Sequence, residues 1–195
     1  TCRGGTIGAQ NAPSLRVEFT DNAEFEILLN GRVWLQSGPL RFFVNSVWHQ
    51  VAGSVASHVI KRTDVKHATG VDDIGSFSSI NISWTVYTPS RLAFHTTLKL
   101  YDDGLTAVFV QEVPRGALGT NASNPVLPEF PKLDRGVYPP VLAFPSFNSS
   151  GGRLPELGYV TWQGTMSYVD FGVNAPNHLL GLSSNGPVAI FDNDV

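Results

Sequence analysis

Leu15, Val17 and Phe19 are apolar, and Arg16, Glu18 and Thr20 between and after them are polar. A period of two over six residues predicts a strand with one buried face. Residues 24–29 and 32–36 are further strand-like runs, and Asn30-Gly31 joins them. Both residues of that pair tolerate positive φ, which makes it the strongest short-range hairpin signal. Gly38-Pro39 then breaks the chain ahead of the apolar run 40–44. Together these runs predict a meander near the N-terminus.

The clearest alternation lies in residues 91–113. Leu92, Phe94, Thr96, Leu98 and Leu100 fall on one face of a strand, and Ala93, His95, Thr97, Lys99 and Tyr101 on the other. Asp102-Asp103-Gly104 turns the chain, and residues 105–113 return as the partner strand. Strands of this length predict a large sheet rather than a small barrel. Residues 81–87 should pair beside this hairpin.

From 114 to 145 the chain is rich in proline and loses its alternation, which predicts an excursion from the sheet. Residues 159–162, 167–171, 179–182 and 188–191 are later strands. Helical periodicity is almost absent, and no internal repeat is evident. The expected fold is all-β: an antiparallel β-sandwich with long hairpins and little helix, in a single domain over residues 1–195.

Composition narrows the function classes. The hydrophobic fraction of 42% in 195 residues supports a sizeable core, with no need of a metal or disulfide staple. Charged residues are only 15%, and Lys+Arg 13 against Asp+Glu 16 leaves a net charge of -3. That balance gives no electrostatic footprint for nucleic acid. No apolar run reaches the ~18 residues of a membrane span.

Asn81-Ile82-Ser83, Asn121-Ala122-Ser123 and Asn148-Ser149-Ser150 match the N-glycosylation acceptor pattern. Chance gives about one such pattern per ~200 residues at average composition. Three therefore point to a secreted, extracellular glycoprotein carrying N-linked glycans. The one cysteine, Cys2, rules out a disulfide within the chain; in a secreted protein it most naturally pairs with a second polypeptide, as an interchain disulfide, or with a missing segment. The chain opens at Thr1 without a signal-peptide pattern and stops just after an apolar strand. Both ends lead us to expect a processed chain or a fragment of a larger protein.

Candidate chemistry is sparse. Nucleophile-elbow, Walker-type and zinc-protease motifs are absent. His49, His58 and His67 recur every nine residues, a spacing that neither a strand nor a helix turns to one face, so no metal site is expected. Asp102-Asp103 reads as turn chemistry. Asp72-Asp73 and the Asp192/Asp194 pair show no convergence of the kind that glycoside hydrolysis or calcium demands. Trp34, Trp48, Trp84 and Trp162 read as core first. Trp162 with Gln163 and Asp170 is the best candidate group for carbohydrate contact, pairing an aromatic face with hydroxyl-reading polar groups.

The stretch Thr69-Gly70-Val71-Asp72-Asp73-Ile74-Gly75-Ser76-Phe77, followed by Trp84 and a long hairpin, carries a family likeness. So does the later order of Phe144-Pro145-Ser146-Phe147, Leu157-Gly158-Tyr159, Trp162 and Gly186-Pro187-Val188-Ala189-Ile190-Phe191-Asp192. From about residue 25 onward the chain resembles the N-terminal β-sandwich of α-galactosidase and raffinose-synthase-like glycosidases, a galactose-mutarotase-like supersandwich. The resemblance implies a parent glycoside hydrolase whose nucleophile and acid lie on a (β/α)₈ barrel C-terminal to the sandwich. No alternation of strand and helix occurs here, so no catalytic residue transfers to this chain. His95 and His178 do not match the catalytic pattern of an aldose mutarotase.

The expected function is thus a non-catalytic β-sandwich part of a secreted, glycosidase-like protein. It would need no cofactor and would pack on a partner chain or a further C-terminal domain. The alternative is a stand-alone lectin-like module with a carbohydrate ligand, or an extracellular structural module that assembles with copies of itself. A viral coat jelly roll also fits the composition but leaves the acceptor patterns less natural.

Overall fold

Asn30 and Gly31 take φ of 51° and 76°, the left-handed pair that a tight two-residue hairpin requires. They join β3 (Phe25–Leu29) to β4 (Arg32–Gln36). With β1 (Thr6–Gly8) and β2 (Leu15–Phe19) these strands form a four-stranded antiparallel sheet in chain order. The computed structural model describes residues 6–8, 15–20, 24–51, 59–87, 91–120, 142–148, 151–163, 168–173 and 187–192.

The run 40–44 leaves the meander. As β5 (Arg41–Val44) it enters a seven-stranded sheet, hairpinned to β6 (Val47–Val51) through Asn45 and Ser46, both at positive φ. That sheet runs β10-β9-β8-β7-β6-β5-β11. Its members are β7 (Val59–Val71), β8 (Ser76–Val86), β9 (Leu92–Tyr101), β10 (Ala107–Glu112) and β11 (Leu142–Ala143). All of its pairings are antiparallel except β6 with β7, which lie parallel over Gln50–Val59 and Val51–Ile60 alone. The long 91–113 hairpin and its β8 neighbour stand where the alternation predicts them.

The two sheets face each other across one core. Every second residue of β8 (Ile80, Ile82, Trp84, Val86) and of β9 (Phe94, Thr96, Leu98, Leu100) is buried. Leu15, Val17 and Phe25 of the smaller sheet join the same cluster. Phe25 marks the junction: its ring lies 5.3 Å from that of Phe109 on β10 and 6.2 Å from that of Phe144. Trp84, fully buried, donates its indole N–H to the Thr96 hydroxyl at 2.8 Å. That bond removes the desolvation penalty of both polar groups.

A third sheet has the order β13-β12-β14 and comprises β12 (Gly158–Gln163), β13 (Tyr168–Val173) and β14 (Val188–Phe191). The chain reaches it along β4. Asn148 N–H donates to the Gln36 carbonyl, and Arg153 N–H to that of Trp34. Between them Gly152, at φ +60°, comes so close to β4 that a Cβ would lie 2.9 Å from the Trp34 carbonyl oxygen. A 3₁₀ turn follows at Leu154–Glu156, and Arg153 just before it ties both ends together. Its guanidinium makes a bidentate pair with Asp192 at 2.7 and 3.0 Å, just beyond β14.

Candidate functional site

The register of the third sheet sorts its residues into two faces. Tyr159 pairs with Gly172 and Ile190, and Thr161 with Asp170 and Val188. Tyr159 and Thr161 are buried on this side, so it faces the protein. On the other side stand Val160 and Trp162 of β12, Val169, Phe171 and Val173 of β13, and Ala189 and Phe191 of β14. Phe171 is 74% exposed, Val169 and Val173 49% each, and Phe191 43%. The Phe191 ring lies across Gly158, in the space a Cβ there would need. No charged side chain belongs to this outward set, which is a contiguous apolar face of the sort that marks an interaction surface.

The carbohydrate-contact group divides across this sheet. Trp162 pairs with Val169 and stands on the outer apolar face, half-buried. Asp170 pairs with Thr161 and stands on the inner face, as does the backbone position of Gln163 opposite Tyr168. Asp170 has a local partner there. Burial first, and then the charge and hydrogen bond of Asp170, push the Tyr159 phenol above its ordinary pKa. Trp162 and Asp170 are therefore not brought to one ligand by this sheet.

Asp72 belongs to the turn between β7 and β8. Its backbone N–H and C=O exchange bonds with Gly75, and its Oδ1 accepts the Ile74 N–H at 3.1 Å. Oδ2 accepts from Lys99 Nζ at 2.8 Å and from the Tyr101 hydroxyl at 2.7 Å. These bonds, with the Lys99 one foremost, hold the carboxyl down to about 2. Lys99 also lies 4.3 Å from the Phe77 ring centroid, and the Phe77 ring covers Gly70 so closely that a Cβ there would fall 2.8 Å from it. The cluster locks the tip of the long hairpin onto β9, and each of its polar groups has a partner.

Asp103 is likewise a turn residue, accepting from the backbone of Leu105 and Thr106 and from the Thr106 hydroxyl. Asp192 is the partner of Arg153. His49 is buried in β6 while His67 is exposed on β7, and His58 lies outside the described residues. Among the described residues no three His, Cys, Asp or Glu side chains group as metal ligands. Ser83 Oγ lies 3.1 Å from His95 Nδ1 on the outer face of the large sheet. A nucleophile also needs donors for an oxyanion, and β8 is paired on both sides, so its backbone N–H groups are committed to the ladders.

Of the acceptor asparagines, Asn148 is exposed beside β4. Asn81 lies mid-strand in β8, half-buried, and donates from Nδ2 to the Thr97 hydroxyl at 2.8 Å. Asn121 and Cys2 lie outside the described residues, as does the strand expected at 179–182. No helix among the described residues is long and apolar enough to cross a membrane. Comparison with models of protein families, with curated proteins and with solved structures finds no match in any of the three.

Proposed function

We propose that this chain is the non-catalytic β-sandwich part of a secreted, N-glycosylated, glycosidase-like protein. In this reading it packs on a partner chain or further domain through the outer face of its third sheet. One observation carries the proposal: Val169, Phe171, Val173 and Phe191 are a connected apolar set held open to solvent on a paired, regular sheet. Strands of six, six and four residues present roughly 250 Å² of flat surface. A standard interface covers about 800 Å² per partner, so this face would be the dry centre of a larger contact whose rim is polar.

The occupied polar clusters support a packing role rather than a chemical one. Asp72, Asp103, Asp170 and Asp192 are each engaged in holding a turn, a tyrosine or an arginine. The split of Trp162 from Asp170 favours this reading over the lectin-like alternative.

The test is the intact mass of the protein isolated from its natural source, before and after reduction and enzymatic deglycosylation. The proposal predicts a mass above the 21.1 kDa of the polypeptide, falling when N-glycans are removed, and a second polypeptide bound to it. A lone, unmodified 21.1 kDa chain with a free Cys2 thiol would overturn it.

A further inference from the structure

The two long edges of a sheet decide what can join it, and β7 leaves one of them open. β8 pairs with β7 along nearly all of its thirteen residues, whereas β6 meets it only at Val59 and Ile60. Beyond Ile60 no described strand lies on that side. Every residue from Lys61 to Thr69 is exposed, and among the described residues no layer covers this stretch. Open edges are usually short, bulged or charged, because their unpaired N–H and C=O groups template another strand. Here the bulge is confined to Arg62–Asp64, and from Val65 to Val71 the strand is regular.

We propose that the free edge of β7, from Lys66 to Val71, beyond the Val65 N–H that Asp64 Oδ1 already accepts at 2.9 Å, is a strand-addition site for an extended acidic segment of another protein. Its main-chain groups would supply the hydrogen bonds, as in other β-augmentation complexes. The chemistry of the partner follows from the side chains. Lys61, Arg62 and Lys66 outnumber Asp64, which lies 3.5 Å from Lys66; Lys61 and Lys66 share the outer face and Arg62 stands on the other, leaving a local positive excess on a chain whose net charge is -3. Carboxylates at alternate positions of the incoming strand answer it. Ala68, Thr69 and Gly70 are small and admit a close backbone. At the far end Val71 and Ile74, 77% and 61% exposed, offer an apolar anchor.

The same charges argue against a second copy of this chain as the occupant. Three of the four ionised side chains along the edge are cationic, so β7 against β7 sets cation to cation more often than cation to carboxylate.

The experiment uses the full chain and a short fluorescein-labelled peptide of alternating glutamate and valine, with the lysine-for-glutamate peptide as control. Fluorescence polarisation should show saturable binding of the acidic peptide alone, weakened about tenfold by the double variant Arg62→Glu, Lys66→Glu. Hydrogen exchange should show new protection at amides within 66–71 on binding. Failure of the acidic peptide to bind, equal binding of the lysine peptide, or binding with no protection in β7 would each overturn the proposal. So would a dimer in light scattering whose β7 amides are protected without any peptide, because a second copy would then occupy this edge.

Discussion

Strands β8 and β9 and strands β12 and β13 both carry an apolar face, and only the first pair keeps it dry. Ile80, Ile82, Trp84, Val86, Phe94, Leu98 and Leu100 lie beneath the four-stranded sheet. Val169, Phe171 and Val173 alternate in the same way and stand in solvent. The local rule is identical: a period of two sends every second side chain to one side. What differs is whether this chain brings another layer to that side. For the large sheet, Leu15, Val17 and Phe25 do so. The third sheet uses its inner face, through Tyr159 and Thr161, and its outer face stands exposed. An apolar face that no described residue covers is what the proposed packing role rests on.

Substitution should separate the two faces sharply. Trp84→Ala removes a fully buried indole and strands the Thr96 hydroxyl; unfolding by urea should show a loss of about 3–5 kcal/mol. Phe171→Ser on the open face should leave the stability of the isolated chain within about 0.5 kcal/mol, while weakening its attachment to the partner. A large loss from Phe171→Ser would mean that the chain itself covers this face.

Arg153→Ala tests how the third sheet is held. It deletes the bidentate pair to Asp192 and should cost about 1.5–3 kcal/mol in the same assay. Earlier hydrogen exchange in β14 than in β8 would place the loss at this junction.

The last of these effects depends on pH. Asp72 has its pKa lowered from 3.8 to about 2 in the folded state, chiefly by Lys99 and then Tyr101. A depressed carboxyl pKa contributes stability above the unfolded value, and that contribution fades as pH falls from about 4 towards 2. Asp72→Asn should therefore melt below the wild type at pH 7, with the gap closing over that window. A gap that persists undiminished at pH 2 would show that the carboxylate charge is not what stabilises the tip.

Much of the architecture was legible where a strand is covered on one side only. Residues 91–113 declared their faces because Leu98 and Lys99 meet different surroundings. Asn30-Gly31 declared its turn because two positive φ values in succession need such residues. β7 escaped notice for the converse reason: with both faces in water, nothing selects alternation, and Lys61-Arg62-Thr63-Asp64 reads like a loop. The fate of the run 40–44 was also hidden, since Gly38-Pro39 marks a break but not which sheet the chain joins next.

The candidate site was legible only in part. Tyr159, Trp162 and Phe171 mark strands, yet pairing register decides that Trp162 and Asp170 face opposite ways. Nor does any local pattern tell an open apolar face from a covered one, because covering is a relation between distant segments.

The most direct measurement is carbene footprinting with mass spectrometry on the isolated chain and on the protein as it occurs naturally. Val169, Phe171, Val173 and Phe191 should label strongly in the isolated chain and be protected in the natural protein, while the exposed Leu105 and Leu118 serve as an internal comparison in both samples. Equal labelling of the four residues in the two samples would contradict the claim that this face is where the module packs.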